Sequence, residues 1–165
     1  MIYYCSTVGI IIIALILDHI KKRNHERYVI DSFTYDILNQ HPSTKPDALS
    51  RLVFLRKSAF AISEKLGGSK GALLSERIHT TILSELSPPH TPHIASTVNK
   101  GHIVYICIRN AMTGILLSEE HALYVFVHEL AHIITASVGH TTEFDINMAL
   151  LVGICEEIGL LRRAM

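Results

Sequence analysis

Cysteine is scarce and scattered in this sequence: Cys5 lies in an apolar run, Cys107 in a predicted strand and Cys155 in a predicted helix. Such placement supplies neither a disulfide framework nor a thiolate metal site, and it agrees with a reducing compartment. Net charge is lacking too. The chain has 15 basic and 15 acidic residues, and beyond residue 20 it carries all 15 of the basic and 14 of the acidic ones. With no basic surplus, a strong electrostatic nucleic-acid binder is not expected. There is no internal repeat and no low-complexity segment, and 165 residues suit one domain of ordinary size serving one site.

Charged residues are few overall, 18% against 48% apolar, and the apolar excess is concentrated at the start. From Ile2 to Leu17, IYYCSTVGIIIIALIL contains no charged residue, and Lys21, Lys22 and Arg23 follow shortly after. This is close to the lower limit of a membrane-spanning helix, roughly 17 residues. A cleaved signal peptide would place its positive charge before the apolar run and small residues at its end, which is the reverse of the pattern here. The expected arrangement is therefore a transmembrane anchor over residues 1–20, a linker or peripheral segment over 21–47 and a globular domain over 48–165. The basic flank on the C-terminal side places that domain on the cytoplasmic side, with the N-terminus outside.

Within the domain, Leu49, Leu52, Val53, Leu55, Phe60, Ile62 and Leu66 recur at helical spacing until Gly67-Gly68 stops the run. Residues 77–86, RIHTTILSEL, are rich in β-branched side chains and predict a strand, followed by a Pro-rich loop. HIVYICIR, His102 to Arg109, has the nearly continuous apolar pattern of a strand covered on both faces. Ser118 before Glu119 and Glu120 predicts a helix start, and the helix should run to about Ala136. Gly139 breaks the chain before a last helix over about 142–161.

The second of these helices contains HELAH. Positions i and i+4 of a helix differ by about 40° in azimuth and about 6 Å along the axis, so His128 and His132 can offer both imidazoles to one zinc ion. Glu129 is rotated by about 100° from His128, beside the metal rather than on it. Zinc lowers the pKa of a bound water to about 7, and a carboxylate base placed there completes its activation. The motif lies behind the apolar run ALYVFV, and a charged Glu flanked by two His on a core helix is costly without a metal or partners. With no Cys nearby to close a structural site, catalysis is favoured. The third ligand is open between two residues. His140 follows the reversal permitted by Gly139, whereas Glu143 lies in the first turn of the last helix, where the dipole already favours its charge and where it could orient a ligand histidine instead. The reading favours His140.

NKGHIVYICIR, then LYVFVHELAH and GHTTEF, resembles the WLM-type metalloproteases, relatives of the SprT-like proteases that act on DNA–protein crosslinks, and looks closest to the short versions encoded by large DNA viruses. The resemblance covers roughly Ala48 to Leu161. Ile106-Cys107-Ile108-Arg109 matches the family's C-L-R strand, and His140 is followed by Phe144 four residues later. It implies His128, His132 and His140 as zinc ligands and Glu129 as catalytic base. Seven residues separate His132 from His140, against five in the cellular members. The expected fold class is α+β: an N-terminal transmembrane helix followed by a small zincin-like domain with a short sheet and an HExxH active-site helix.

Other candidates read as ordinary. His121 lies about 10.5 Å along the helix from His128, too far to share an ion. His90 and His93, in HTPH, sit in a loop where solvated histidines are the default. Arg109 either ties the strand end to a carboxylate such as Glu119 or Glu120 or touches substrate. The strand His102 to Arg109 is expected beside the cleft, where an extended substrate could add to the sheet. The leading function is a membrane-anchored zinc-dependent endopeptidase acting on a protein or peptide. Its rival is a zinc-containing membrane or virion structural or binding protein without turnover.

Overall fold

The computed structural model describes residues 24–87, 95–110 and 112–162. Strands β1 (His25–Ile30) and β2 (Phe33–Leu38) form an antiparallel hairpin whose two turn residues, Asp31 and Ser32, have φ of 50° and 69°. Positive φ at both central positions is the geometry whose twist matches the flanking strands. Helices α1 (Lys45–Leu66) and α2 (Gly68–Thr80) then cross over to β3 (Ile82–Glu85), which lies parallel to β2. The second hairpin, β4 (Ala95–Val98) and β5 (Ile103–Ile106), completes a mixed sheet of order β1-β2-β3-β5-β4, with β5 parallel to β3. Helices α3 (Glu119–Ile134) and α4 (Thr142–Glu157) follow.

Helix α3 is the centre of the packing. Ala122, Leu123, Val125, Phe126, Val127, Leu130, Ala131, Ile133 and Ile134 are all buried, and α3 meets α1, α2, α4, β4 and β5. Each Val, Leu, Ile or Phe side chain among them contributes about 1.5–3 kcal/mol by leaving water.

Several expectations are corrected. The single-pass arrangement, with residues 1–20 as an anchor, the N-terminus outside and the domain on the cytoplasmic side, is set aside: among the described residues no helix is long and apolar enough to cross a membrane. The stretch on which the anchor was placed lies outside the described residues. The most apolar of the four α-helices among the described residues, α3, spends its apolar faces on the sheet and its neighbours, so the described residues form an α+β domain in which no helix is long and apolar enough to span a membrane. Residues 25–38, within the stretch expected as linker or peripheral segment, are the hairpin that extends the sheet. Arg77 to Thr80, expected as strand, complete α2, because Gly71, Leu74 and Ile78 bury one helical face. At Gly71 a Cβ would lie 2.5 Å from the Ser63 carbonyl oxygen, so the close approach of α1 and α2 depends on that glycine.

The strand end at Arg109 is tied to neither Glu119 nor Glu120. Its Nε donates to Glu85 Oε1 at 2.6 Å in a pair that is essentially inaccessible to solvent. The other Glu85 oxygen accepts the Leu38 N–H, while Arg109 Nη1 donates to Thr44 Oγ1 and Gly114 O. One buried pair thus joins β2, β3, the chain after β5 and the approach to α1. Breaking such a pair strands a charge in the core, at a cost of about 3–5 kcal/mol. Arg109→Met is expected to lower stability in urea denaturation by that order, and Glu85→Gln combined with Arg109→Met is expected to be more stable than Arg109→Met alone. A double variant no more stable than that single one would show that the charge pairing is not what the fold requires.

Candidate metal centre

Helix α3 is capped by Ser118, whose side chain accepts the His121 N–H, and it is buried on every side but one. His128 and His132 occupy that half-open stripe. The helix ends at Thr135, whose hydroxyl donates to the Ala131 carbonyl at 2.6 Å and whose backbone is extended. An irregular loop then runs to Gly139, at φ 85°, and α4 is capped by Thr141, whose hydroxyl accepts the Phe144 N–H.

This reversal brings His140 back over the stripe. The ring centroids of His128, His132 and His140 form a nearly equilateral triangle with sides of 5.0, 4.9 and 5.0 Å. Phe144, buried, packs against all three rings at 4.9, 4.4 and 4.6 Å and forms their floor. Each histidine offers one nitrogen, and the three nitrogens lie within 4.8 Å of one another. The Nε2 atoms of His128 and His140 are 3.0 Å apart, too close for two bare lone pairs unless a proton or a cation lies between them. Tetrahedral zinc with Zn–N bonds of about 2.0–2.1 Å sets ligand nitrogens roughly 3.3 Å apart, so the donor set suits that ion.

Burial holds two of the three imidazoles in the form that metal chemistry uses. It lowers the pKa of His128, an effect the nearby His140 adds to, and brings His132 down to about 4, assisted by His128, His140 and Lys100. Both imidazoles are therefore neutral at pH 7, with lone pairs available. Burial raises the pKa of Glu129, and the opposing influences are the Thr97 hydroxyl, donating to Glu129 Oε2 at 2.5 Å, and His140.

Glu143 is turned to another task. Its carboxylate accepts the N–H groups of Ala136 and Ser137 and the Ser137 hydroxyl, contacts that hold its pKa below the ordinary range, and it lies outside the cluster of histidines. His121 is exposed at the start of α3, lining a separate cleft with Tyr124 and Val152. His90 and His93 lie outside the described residues.

A cleft of about 410 Å³ opens over the three rings between β4 and the loop from Ser137 to His140. The strand beside it is β4, at the sheet edge, and not the expected His102 to Arg109, which lies inside the sheet between β3 and β4. Sequence reasoning missed β4 and the roles of Thr97 and Lys100. The signal was present: ASTV and IVYI flank Asn99-Lys100-Gly101-His102, a four-residue hairpin loop containing Gly.

The comparisons with known proteins bear on fold more than on chemistry. No family model matches the chain. The uncharacterized protein 136R of Invertebrate iridescent virus 6 is 25% identical over 162 residues, which span 94% of this chain and 88% of that protein. Among solved structures, a mutant of Wss1 from Saccharomyces cerevisiae has a TM-score of 0.54 at 24% identity, covering 75% of this chain and 91% of that one. A second Wss1 structure gives 0.54 at 22%, covering 74% and 89%. The fold is similar to that of Wss1. A distant viral relative also exists, and neither likeness assigns a role to any residue.

The two candidates for a third ligand can be separated by metal content. His140→Ala is expected to reduce bound zinc to near zero after gel filtration of the full chain, whereas Glu143→Gln is expected to retain close to one ion. Metal analysis showing the opposite pattern would transfer the third position to Glu143.

Proposed function

We propose that the chain is a zinc-dependent endopeptidase of the WLM type, with His128, His132 and His140 as zinc ligands and Glu129 as general base. The observation that carries this reading is the convergence of three imidazoles, two of them neutral through burial, with a buried carboxylate at the base of an open cleft beside a sheet edge. The fold shared with Wss1 supports the WLM assignment, while the wider likeness to SprT-like enzymes rests on the HELAH helix.

When bound, zinc supplies Lewis acidity, lowering the pKa of a water to about 7 and polarising the scissile carbonyl. The chain's own groups do the rest. Glu129 accepts the proton of the attacking water and can return it to the leaving amine. Thr97 holds one carboxylate oxygen and so fixes the direction of the other. The edge strand β4 offers its unpaired side to an extended substrate, whose backbone can add to the sheet above the three rings.

Zinc-loaded full-length protein is expected to cleave casein or a peptide library, and a chelator is expected to abolish the cleavage. Glu129→Gln should keep its zinc and lose activity by at least about 100-fold, since the amide preserves size but accepts no proton. Undiminished turnover in that variant sinks the mechanism. Stoichiometric zinc with no cleavage of any substrate by wild type would favour a binding role.

A further inference from the structure

The loop that carries His140 has no regular structure, yet its backbone is held from two sides. On the carbonyl side, Lys100 Nζ donates to Thr135 O at 2.6 Å, Ser137 O at 3.2 Å and His132 O at 3.4 Å. An ammonium has three protons, and all three are used. On the amide side, Glu143 Oε1 accepts the Ala136 N–H at 3.1 Å, and Oε2 accepts the Ser137 N–H at 3.2 Å and the Ser137 hydroxyl at 2.9 Å. The peptides from Thr135 to Ser137 therefore lie between a cation facing their carbonyls and an anion facing their amides.

We infer that Lys100 and Glu143 are positioning residues for the metal centre: a clamp of opposite charges that fixes the 135–137 backbone and so sets His140 against His128 and His132. The inference rests on the zinc assignment above, and it places neither residue on the metal.

Three observations support it. The last carbonyls of a helix have no partner within the helix and form the negative end of its dipole, which is where Lys100 binds. The lysine reaches that point from an unusual backbone: Asn99, Lys100 and Gly101 have φ of 48°, 52° and 101°, a region that side-chain-bearing residues seldom adopt. At Gly101 a Cβ would come within 3.0 Å of Ile133 Cδ1, so the hairpin turn is seated directly on α3. Beneath the clamp, buried Asn147 donates to Thr135 Oγ1 at 2.9 Å and accepts from Lys70 at 2.6 Å. The end of α3 is thus tied to α2 and α4 as well, which leaves the 136–140 segment as the part whose placement the two charges decide.

The test is zinc affinity in the full chain, measured by competition with a chromophoric chelator, together with the unfolding midpoint of the metal-free protein. Groups that orient ligands from outside the coordination sphere typically change affinity by about 10–100-fold. Lys100→Met is expected to weaken zinc binding about tenfold, Lys100→Arg to restore it to within about threefold of wild type, and Glu143→Gln to weaken it by a factor of roughly three to ten, by the same rule. The combined Lys100→Met and Glu143→Gln loss should be smaller than the product of the two, because both act on one loop. Lys65→Met, which removes a remote exposed ion pair with Glu157, should leave zinc affinity unchanged. Cobalt-loaded Lys100→Met should show an altered visible band, while the unfolding midpoint of its metal-free form stays near wild type. Wild-type affinity in Lys100→Met and Glu143→Gln would overturn the clamp while leaving the zinc assignment intact. So would a loss fully matched by a fall in the metal-free midpoint. A wild-type chain that takes up no zinc would overturn both.

Discussion

Burial of α3 on every side but one governs the remainder of the structure. A helix wrapped by a sheet edge and three other helices can present polar groups only where a gap in the packing remains or where a partner meets them. The gap is the stripe of His128 and His132. The partner is Thr97, which reaches Glu129 from β4. The chemistry of the site is therefore a consequence of how the core closes: a second open stripe would leave the imidazoles solvated and protonated below their ordinary pKa, and no open stripe would exclude substrate.

The same burial imposes an electrostatic cost that the surroundings offset. Three imidazoles within 5 Å of one another cannot all be charged, and burial keeps His128 and His132 neutral. A divalent ion bound in the proposed centre would bring its whole charge with it, so a nearby lysine would repel it. Lys100 escapes that conflict because its ammonium is directed onto the carbonyls at the end of α3, where the helix already carries partial negative charge. Glu129, whose pKa is raised by the same burial, is the acidic residue that lines the cleft over the three rings.

Much of this was legible in the sequence, and the parts that were not share a physical cause. Helices α1, α3 and α4 declare themselves through periodicity, through the Ser118 cap and acidic first turn, and through Gly139. HELAH identifies itself by spacing. Arg77 to Thr80 look like strand because local propensity favours Ile and Thr there, yet packing of Leu74 and Ile78 across the Gly71 contact overrides it. The β1–β2 hairpin hides because its outer strand is an edge with polar residues and its turn is Asp-Ser rather than a Gly-containing pair. The initial apolar run invited a membrane reading from composition alone, which no described helix carries.

The third histidine shows most clearly where one-dimensional reasoning stops. Spacing leaves His140 and Glu143, three positions apart, both within reach of the helix. What separates them is a set of contacts from distant positions: Lys100 is 35 residues from Thr135, and Lys70 is 77 residues from Asn147. These side chains fix the path of the chain between α3 and α4, and that path turns His140 inward over Phe144 while occupying the Glu143 carboxylate with backbone amides. In the proposed centre, the identity of the third ligand is in this respect a property of the loop's anchors. A sequence motif can name the two histidines that the helix itself aligns, but the residue completing the set is selected by partners that only the folded chain brings together.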